Sequence, residues 1–178
     1  WDPAFEAANR VFDRIGALRR EKDRAARVRA WAAVDADIRA AKARADGGGL
    51  AAARTPKDKG QAIGDVLIGL MMPAAGKVLD AADRTRQAQD NVQTAFALAQ
   101  YQRATGRFPP TLDALAPDYL PHAPLDLFTG RPLVYRPGPA GYLLYSVGIN
   151  GTDDGGRGYD STPQGDDLYV QMPVPERR

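Results

Sequence analysis

The chain has 178 residues, of which 44% are hydrophobic and 26% charged, as expected for a soluble globular protein with one core and extensions. It has no cysteine, which excludes disulfides and thiolate metal sites, and no apolar run approaches the roughly 20 residues that a membrane span needs. The net charge of +2 is uneven, because residues 1–60 carry 14 basic against 9 acidic side chains and residues 107–178 carry 6 against 9.

Residues 1–46 are predicted to form a helical extension. Apolar residues recur at three- and four-residue steps on both sides of a charged stretch, residues 19–24. The segment is therefore either one long helix or two helices broken near residues 19–25. The basic residues of this stretch do not indicate nucleic-acid binding, because Glu21 and Asp23 interrupt them and no aromatic side chain is interleaved for stacking. The pattern favours a solvated helix face.

Residues 47–60 are rich in glycine and charge and predict a linker. A helix is expected over residues 61–105, with Pro73 kinking or interrupting it. Its first part, residues 66–72, is apolar on all sides, which indicates that it is buried or docked on a partner. We expect partner contacts from this segment and from the stripe around Trp31. The residues concerned are Trp31, Val66, Leu67, Leu70 and Met71.

The rest of this helix has an amphipathic pattern, which is typical of a helix that packs one side on a sheet. The apolar stripe consists of Val78, Ala81 or Ala82, Thr85, Ala88, Val92, Ala95 or Phe96, and Ala99. The opposite, polar face carries Asp83, Arg84, Arg86, Gln87, Asp90 and Gln93.

The chain after Gly106 changes character. Gly106 is the expected stop of the helix, and a short second helix is predicted over residues 111–116. Strands are predicted at residues 133–136, 141–146 and 168–172, the first two joined as a hairpin. The fold class is therefore α+β: long N-terminal helices, and then a domain over residues 61–178 in which a helix packs on a small antiparallel sheet, residues 133–172.

The order of several motifs resembles the type II secretion pseudopilins and, more loosely, the type IV pilins. The match covers roughly residues 76–172. The motifs are ALAQYQRATGRFP at residues 97–109, LDAL at 112–115, YLP at 119–121, PLDLFTG at 124–130, YLLYSVGINGTDDGG at 142–156, and GDD at 165–167. The resemblance implies a non-catalytic structural subunit that works by association with protein subunits, outside the cytoplasm, in the periplasm or cell envelope.

The family's continuous hydrophobic anchor helix has no full match. About 60 residues of polar helix precede the matching region, and Gly64, Asp65 and Pro73 interrupt the apolar stretch, leaving too little for a membrane span. The sequence begins at Trp1, so we expect that an export signal or anchor was removed, unless the boundary is arbitrary. Membrane association is expected only through such a segment or a partner.

An acidic, glycine-rich loop follows the second strand. Asn150, Asp153, Asp154, Asp160, Asp166 and Asp167 supply hard oxygen donors within 18 residues. In the related pseudopilins this loop holds calcium, which the resemblance carries onto Asn150, Asp153, Asp166 and Asp167. The alternative is a polar turn in which Asn and Asp side chains cap their own backbone.

The sequence offers little for catalysis. His122 is the only histidine and is expected in a surface loop, and no nucleophile elbow, phosphate loop or zinc spacing is present. We therefore expect no enzyme. Two alternatives to the pseudopilin-like subunit stay open: a scaffold or accessory subunit of an unrelated membrane or envelope complex, and a divalent-cation-dependent hydrolase that uses the acidic loop.

Overall fold

The computed structural model describes residues 2–174 and has the expected α+β class. The described part of the chain has five α-helices, one 3-10 helix and three strands. They are α1 (Asp2–Arg20), α2 (Arg24–Asp46), α3 (Gly49–Ala52), α4 (Pro56–Met71), α5 (Pro73–Thr105), the 3-10 helix (Leu112–Leu115), β1 (Val134–Pro137), β2 (Tyr142–Ser146) and β3 (Leu168–Met172). The chain divides into two compact units between Asp80 and Ala81, within α5. We call them the N-terminal and C-terminal units.

The helix starts follow from local capping. The N-terminal segment is two helices, broken where expected, and the Asp23 side chain caps α2 by accepting from the Ala25 amide at 2.9 Å. Thr55 and Asp58 form a capping box at the start of α4, with Pro56 in the first turn. The segment predicted to be a linker, residues 47–60, therefore contains α3 and the first turn of α4. The glycines and charged residues of the segment did not indicate these two helical parts.

The N-terminal unit is a helical bundle in which α4 contacts both α1 and α2. Its core consists of Val11, Leu18, Val34, Ile38, Ala41, Ile68 and Met72, with Ile15, Trp31 and Leu79 packed against it. Two glycines allow close helix contacts. A Cβ at Gly69 would lie 3.3 Å from the Cα of Lys42, and one at Gly76 would lie 2.9 Å from Cζ2 of Trp31.

A buried carboxylate, Asp65, lies within this bundle at 3% exposure. Its two oxygens accept from Nε and Nη2 of Arg44, both at 2.8 Å, and Gln61 donates a further hydrogen bond at 3.0 Å. The hydrogen bond from Asp65 is the main reason why the pKa of Arg44 is raised. The bidentate pair compensates the burial of the charge.

The C-terminal unit packs α5 on a three-stranded antiparallel sheet of order β1-β2-β3. Leu144 pairs with Tyr135 on one side and with Val170 on the other. One core joins helix, short helix and sheet through Ala97, Leu98, Leu112, Leu115, Leu133, Tyr142 and Leu144. The predicted strands, the short helix and the helix stop at Gly106, where φ is +79°, are confirmed.

The amphipathic reading of α5 was wrong over its middle. Val78, Val92 and Phe96 of the apolar stripe are 66%, 47% and 66% exposed. On the predicted polar face Arg86 and Gln93 are exposed as expected, but Asp83 and Gln87 are buried, at 8% and 0% exposure. Asn91 and Thr94, which belong to neither predicted face, are buried beside them, each at 1% exposure. Apolar burial resumes only near the C-terminal end of the helix, at Ala97 and Leu98. The reason is that this face binds polar backbone groups, as described below.

The sequence also predicted that Gly64, Asp65 and Pro73 leave too short an apolar stretch for a membrane span. By length and composition that prediction is wrong. The stretch Pro56–Thr105 is long and apolar enough, and 29% of its most apolar window is buried. Asp65 and Lys77 are the only charged residues between positions 62 and 79. Proline is tolerated in the first turn of a helix, so α5 resumes directly after Met72. Core helices of soluble proteins can have similar compositions, but they are mostly buried.

Candidate functional site

The first candidate site is the acidic loop, residues 147–167, which connects β2 to β3. It opens with a glycine that no other residue can replace without rearrangement. Gly148 has φ of +70°, and a Cβ there would lie 2.3 Å from the Asp166 carbonyl oxygen and 2.7 Å from its Oδ2. The two ends of the loop therefore come into direct contact at Gly148 and Asp166.

Asp166 connects the loop to α5. Its Oδ1 accepts from Nη2 of Arg84 at 2.5 Å, and its Oδ2 accepts from the Asn150 amide at 2.9 Å. The two side chains of this ion pair are 21% and 13% exposed. Arg84 also donates to the hydroxyl of Tyr159, and its guanidinium carbon lies 4.0 Å from the centre of the Tyr159 ring.

Asp167 is the most buried acid of the loop, at 2% exposure. Its Oδ2 accepts from the Gly156 amide at 2.7 Å and its Oδ1 from the Asp154 amide at 3.4 Å. Burial raises the pKa of Asp167, and the nearby charges of Asp154 and Asp153 raise it further, while the two amides act in the opposite direction. The buried Asp167 carboxylate thus fixes the backbone of the middle of the loop through the amides of Asp154 and Gly156.

Asp153 contacts side chains of the first two strands of the sheet. Its Oδ1 accepts from the hydroxyl of Tyr145 and from the Gly155 amide, both at 2.8 Å, and its Oδ2 lies 3.7 Å from Nη2 of Arg136. The Tyr145 hydrogen bond is the main reason why the pKa of Asp153 is lowered. Burial raises the pKa of Tyr145 to about 12, and the hydrogen bond to Asp153 adds to this.

Asn150 and Asp154 complete the network. Asn150 Oδ1 accepts from the Thr152 amide at 2.6 Å, which is an Asx turn. Asp154 Oδ2 accepts from the Asp166 amide at 3.0 Å and from Nδ2 of Asn150 at 3.3 Å, and its Oδ1 lies 3.7 Å from Nη2 of Arg157. Asp154 is therefore as central to the loop as the four residues that the resemblance selected.

These contacts allow a test of whether the predicted calcium ligands fit an ion. Six of the seven side-chain oxygens of Asn150, Asp153, Asp166 and Asp167 accept hydrogen bonds within the chain, and the seventh faces Arg136. Over residues 2–174 no group of three or more acids or histidines has the geometry of a metal site. The donors to these oxygens are backbone N–H groups, the Tyr145 hydroxyl and the Arg84 guanidinium, so the arrangement does not fit a cation and agrees with the polar-turn alternative. Calcium binding stays a prediction for experiment.

The second candidate site is the exposed part of the apolar segment. Leu67, Leu70 and Met71 on α4 are 39%, 77% and 59% exposed. Val66 is half-buried, and Trp31 is half-buried against the N-terminal core. Of the five residues predicted to contact partners, the structure thus brings Leu67, Leu70 and Met71 to the surface.

Sequence reasoning missed the polar residues that join α5 to the sheet and loops. Gln87 Oε1 accepts from the Leu127 amide at 2.6 Å, its Nε2 donates to Asn91 Oδ1 at 2.7 Å, and Asn91 Nδ2 donates to the Leu168 carbonyl at 2.6 Å. We call this chain of hydrogen bonds the polar ladder. No local pattern reveals it, because its partners lie 40 and 77 residues away in sequence.

Asp126 was also missed. It is 3% exposed and accepts from the amides of Phe128 at 2.7 Å and Val147 at 2.9 Å, so it fixes a turn to the start of the acidic loop. The signal was the turn sequence DLFTG at residues 126–130, in which an aspartate precedes a glycine of positive φ.

His122 is exposed, as expected of a surface loop, and lines a groove of about 380 Å³ with Arg86 and Asp90 of α5. The other lining residues are Gln93 and Thr94 of α5 and Leu120, Pro121, Ala123, Pro124 and Leu125 of the loop. The groove offers no arrangement of nucleophile and base from which a reaction follows.

The chain was compared with protein-family models, curated proteins and solved structures, and nothing matches it. A long helix packed on a small antiparallel sheet is compatible with a pilin-like fold.

Proposed function

We propose that the chain is a non-catalytic, extracytoplasmic subunit, similar to the pseudopilins, that takes part in an envelope assembly through protein–protein contacts. The proposal is supported by the order of the sequence motifs and by the packing of α5 on the sheet. The envelope location and the kinship with pseudopilins come from the sequence resemblance.

The observation that carries the proposal is the exposed apolar surface of the helices. In the N-terminal unit Leu70, Met71 and Val78 are 77%, 59% and 66% exposed. All three lie close to the junction of α4 and α5, within the span of residues 70–78. Clustered apolar side chains on a surface mark contacts with a partner more often than isolated ones do.

In the C-terminal unit Val92 and Phe96, one helical turn apart on α5, are 47% and 66% exposed. They lie opposite the polar ladder, so the helix buries its polar side and presents its apolar side outward. Such a helix is stable within a fold only because the ladder is fully hydrogen-bonded, and its apolar side is then available to another subunit.

A protein partner suits the α4 surface better than the interior of a lipid bilayer. The opposite side of α4 contacts α1 and α2, which carry charged residues along most of their length. Placing α4 across a membrane would bring those charges into hydrocarbon at high cost. A partner helix or groove covers the exposed side alone.

Photo-crosslinking and light scattering test the proposal together. A photoreactive residue at position 70 should give a discrete crosslinked product in cell envelopes, whereas the same residue at position 28 should not. Val28 is a matched control, because it is 47% exposed on α2 of the same unit. We expect purified protein to self-associate at about 100 µM and the double variant Leu70→Gln/Met71→Gln to be monomeric.

The proposal is overturned if position 70 gives no more product than position 28 and the purified chain stays monomeric at that concentration.

A further inference from the structure

One guanidinium, that of Arg84 on α5, makes three contacts with the acidic loop. It donates to Asp166 and to the hydroxyl of Tyr159, and it stacks over the Tyr159 ring at 4.0 Å. The planar guanidinium has five donors in a fixed arrangement, which allows it to hold two partners at once. Because the residues are 75 and 82 positions from Arg84 in sequence, the contacts close a long segment of chain.

The other carboxylates of the loop are also compensated from within the chain. Arg136 lies 3.7 Å from Asp153, and Arg157 lies 3.7 Å from Asp154. Asp167 has no arginine at this distance among the described residues and is held by the amides of Gly156 and Asp154. Without these partners Asp153, Asp154, Asp166 and Asp167 would repel one another. The repulsion would be strongest among the last three, whose side chains have little exposure to water.

We propose that the acidic loop folds without a divalent cation and that Arg84 supplies the positive charge that holds it on α5. A cation placed between these carboxylates would compete with the donors that already contact their oxygens and would be repelled by Arg84 and Arg136. Arg84 acts as a positioning residue for the loop. Removing one partner of a partly buried ion pair leaves the other charge uncompensated and costs more than the pair contributes.

Hydrogen exchange measured by mass spectrometry gives a readout confined to the loop. The amides of Asn150, Gly156 and Asp166 are protected because they donate to loop carboxylates. In Arg84→Gln we expect exchange in residues 148–167 to be faster by on the order of tenfold, since a hydrogen bond to a charged group is lost. Arg86→Gln is the matched control, because Arg86 is exposed on the same helix two residues away.

The calcium arm uses the wild-type chain and does not depend on the folding of any variant. We expect the melting temperature and the loop exchange rates to be the same in chelator and in about 10 mM calcium chloride, a concentration that would saturate and stabilise a typical extracellular calcium module. Slower loop exchange or a higher melting temperature with calcium overturns the proposal. So does loop exchange in Arg84→Gln at the rate of Arg86→Gln.

Discussion

The two units solve the burial of a helix in different ways. In the N-terminal unit α1, α2 and α4 bury aliphatic side chains against each other, and the buried carboxylate of Asp65 is paired with Arg44. In the C-terminal unit the middle of α5 buries Gln87, Asn91 and Thr94, and apolar packing is confined to the helix end. An apolar stripe therefore identifies the core side of a helix only when the segments packed on that helix have no backbone N–H or C=O groups in need of a partner.

The difference has a physical cause. Loops and a sheet edge offer backbone N–H and C=O groups that need partners, and an unpaired buried group costs about 1–3 kcal/mol. Gln87 and Asn91 supply those partners for Leu127 and Leu168. Among the side chains that the structure describes, no buried polar atom lacks a hydrogen bond, so the polar ladder is complete.

The largest loss of stability is expected from a substitution in the core of the N-terminal unit. Ile38→Ala, at a site 3% exposed in the bundle core, should lower the free energy of unfolding of the N-terminal unit by about 2–5 kcal/mol through the cavity it leaves. Urea titration followed by tryptophan fluorescence measures it, because both tryptophans, Trp1 and Trp31, lie before residue 81 in the sequence. A loss below about 1 kcal/mol would contradict the assignment of Ile38 to the core.

A smaller loss of stability is expected in the C-terminal unit. The sign of this change distinguishes a polar helix side that is held by hydrogen bonds from an ordinary apolar one. Gln87→Leu should destabilise the C-terminal unit by about 1–3 kcal/mol, although leucine is apolar and of similar size, because the Leu127 amide loses its acceptor. Gln89→Leu is the control, because Gln89 is exposed two residues away on the same helix, and its effect should be within about 0.5 kcal/mol. Urea titration followed by circular dichroism compares them.

An unchanged or raised stability in Gln87→Leu would mean that the side of α5 occupied by residue 87 behaves as an ordinary apolar face, as the sequence pattern alone indicates.

Local patterns predicted the elements well and the contacts between them poorly. The aromatic and aliphatic run at residues 142–146 and the glycine at 106 identified β2 and the end of α5, because both signals are local. The burial of Gln87 and the pairing of Arg84 with Asp166 depend on partners 40 and 82 residues away, which no local pattern records. The loop acids were recognised as a group, but their partners were found only in the fold.

The central claim is that the middle of α5, before Ala97 and Leu98 enter the core, presents its apolar side outward and its polar side inward. Thiol labelling tests it most directly. The chain has no cysteine, so a single introduced thiol reports on one position. Thr94 is 1% exposed and Phe96, two residues on, is 66% exposed. In native buffer we expect the thiol of Phe96→Cys to react at nearly the rate of a free thiol and that of Thr94→Cys at least about 100-fold more slowly, since it reacts only after local opening. Equal rates, or faster labelling of Thr94→Cys, would contradict the account.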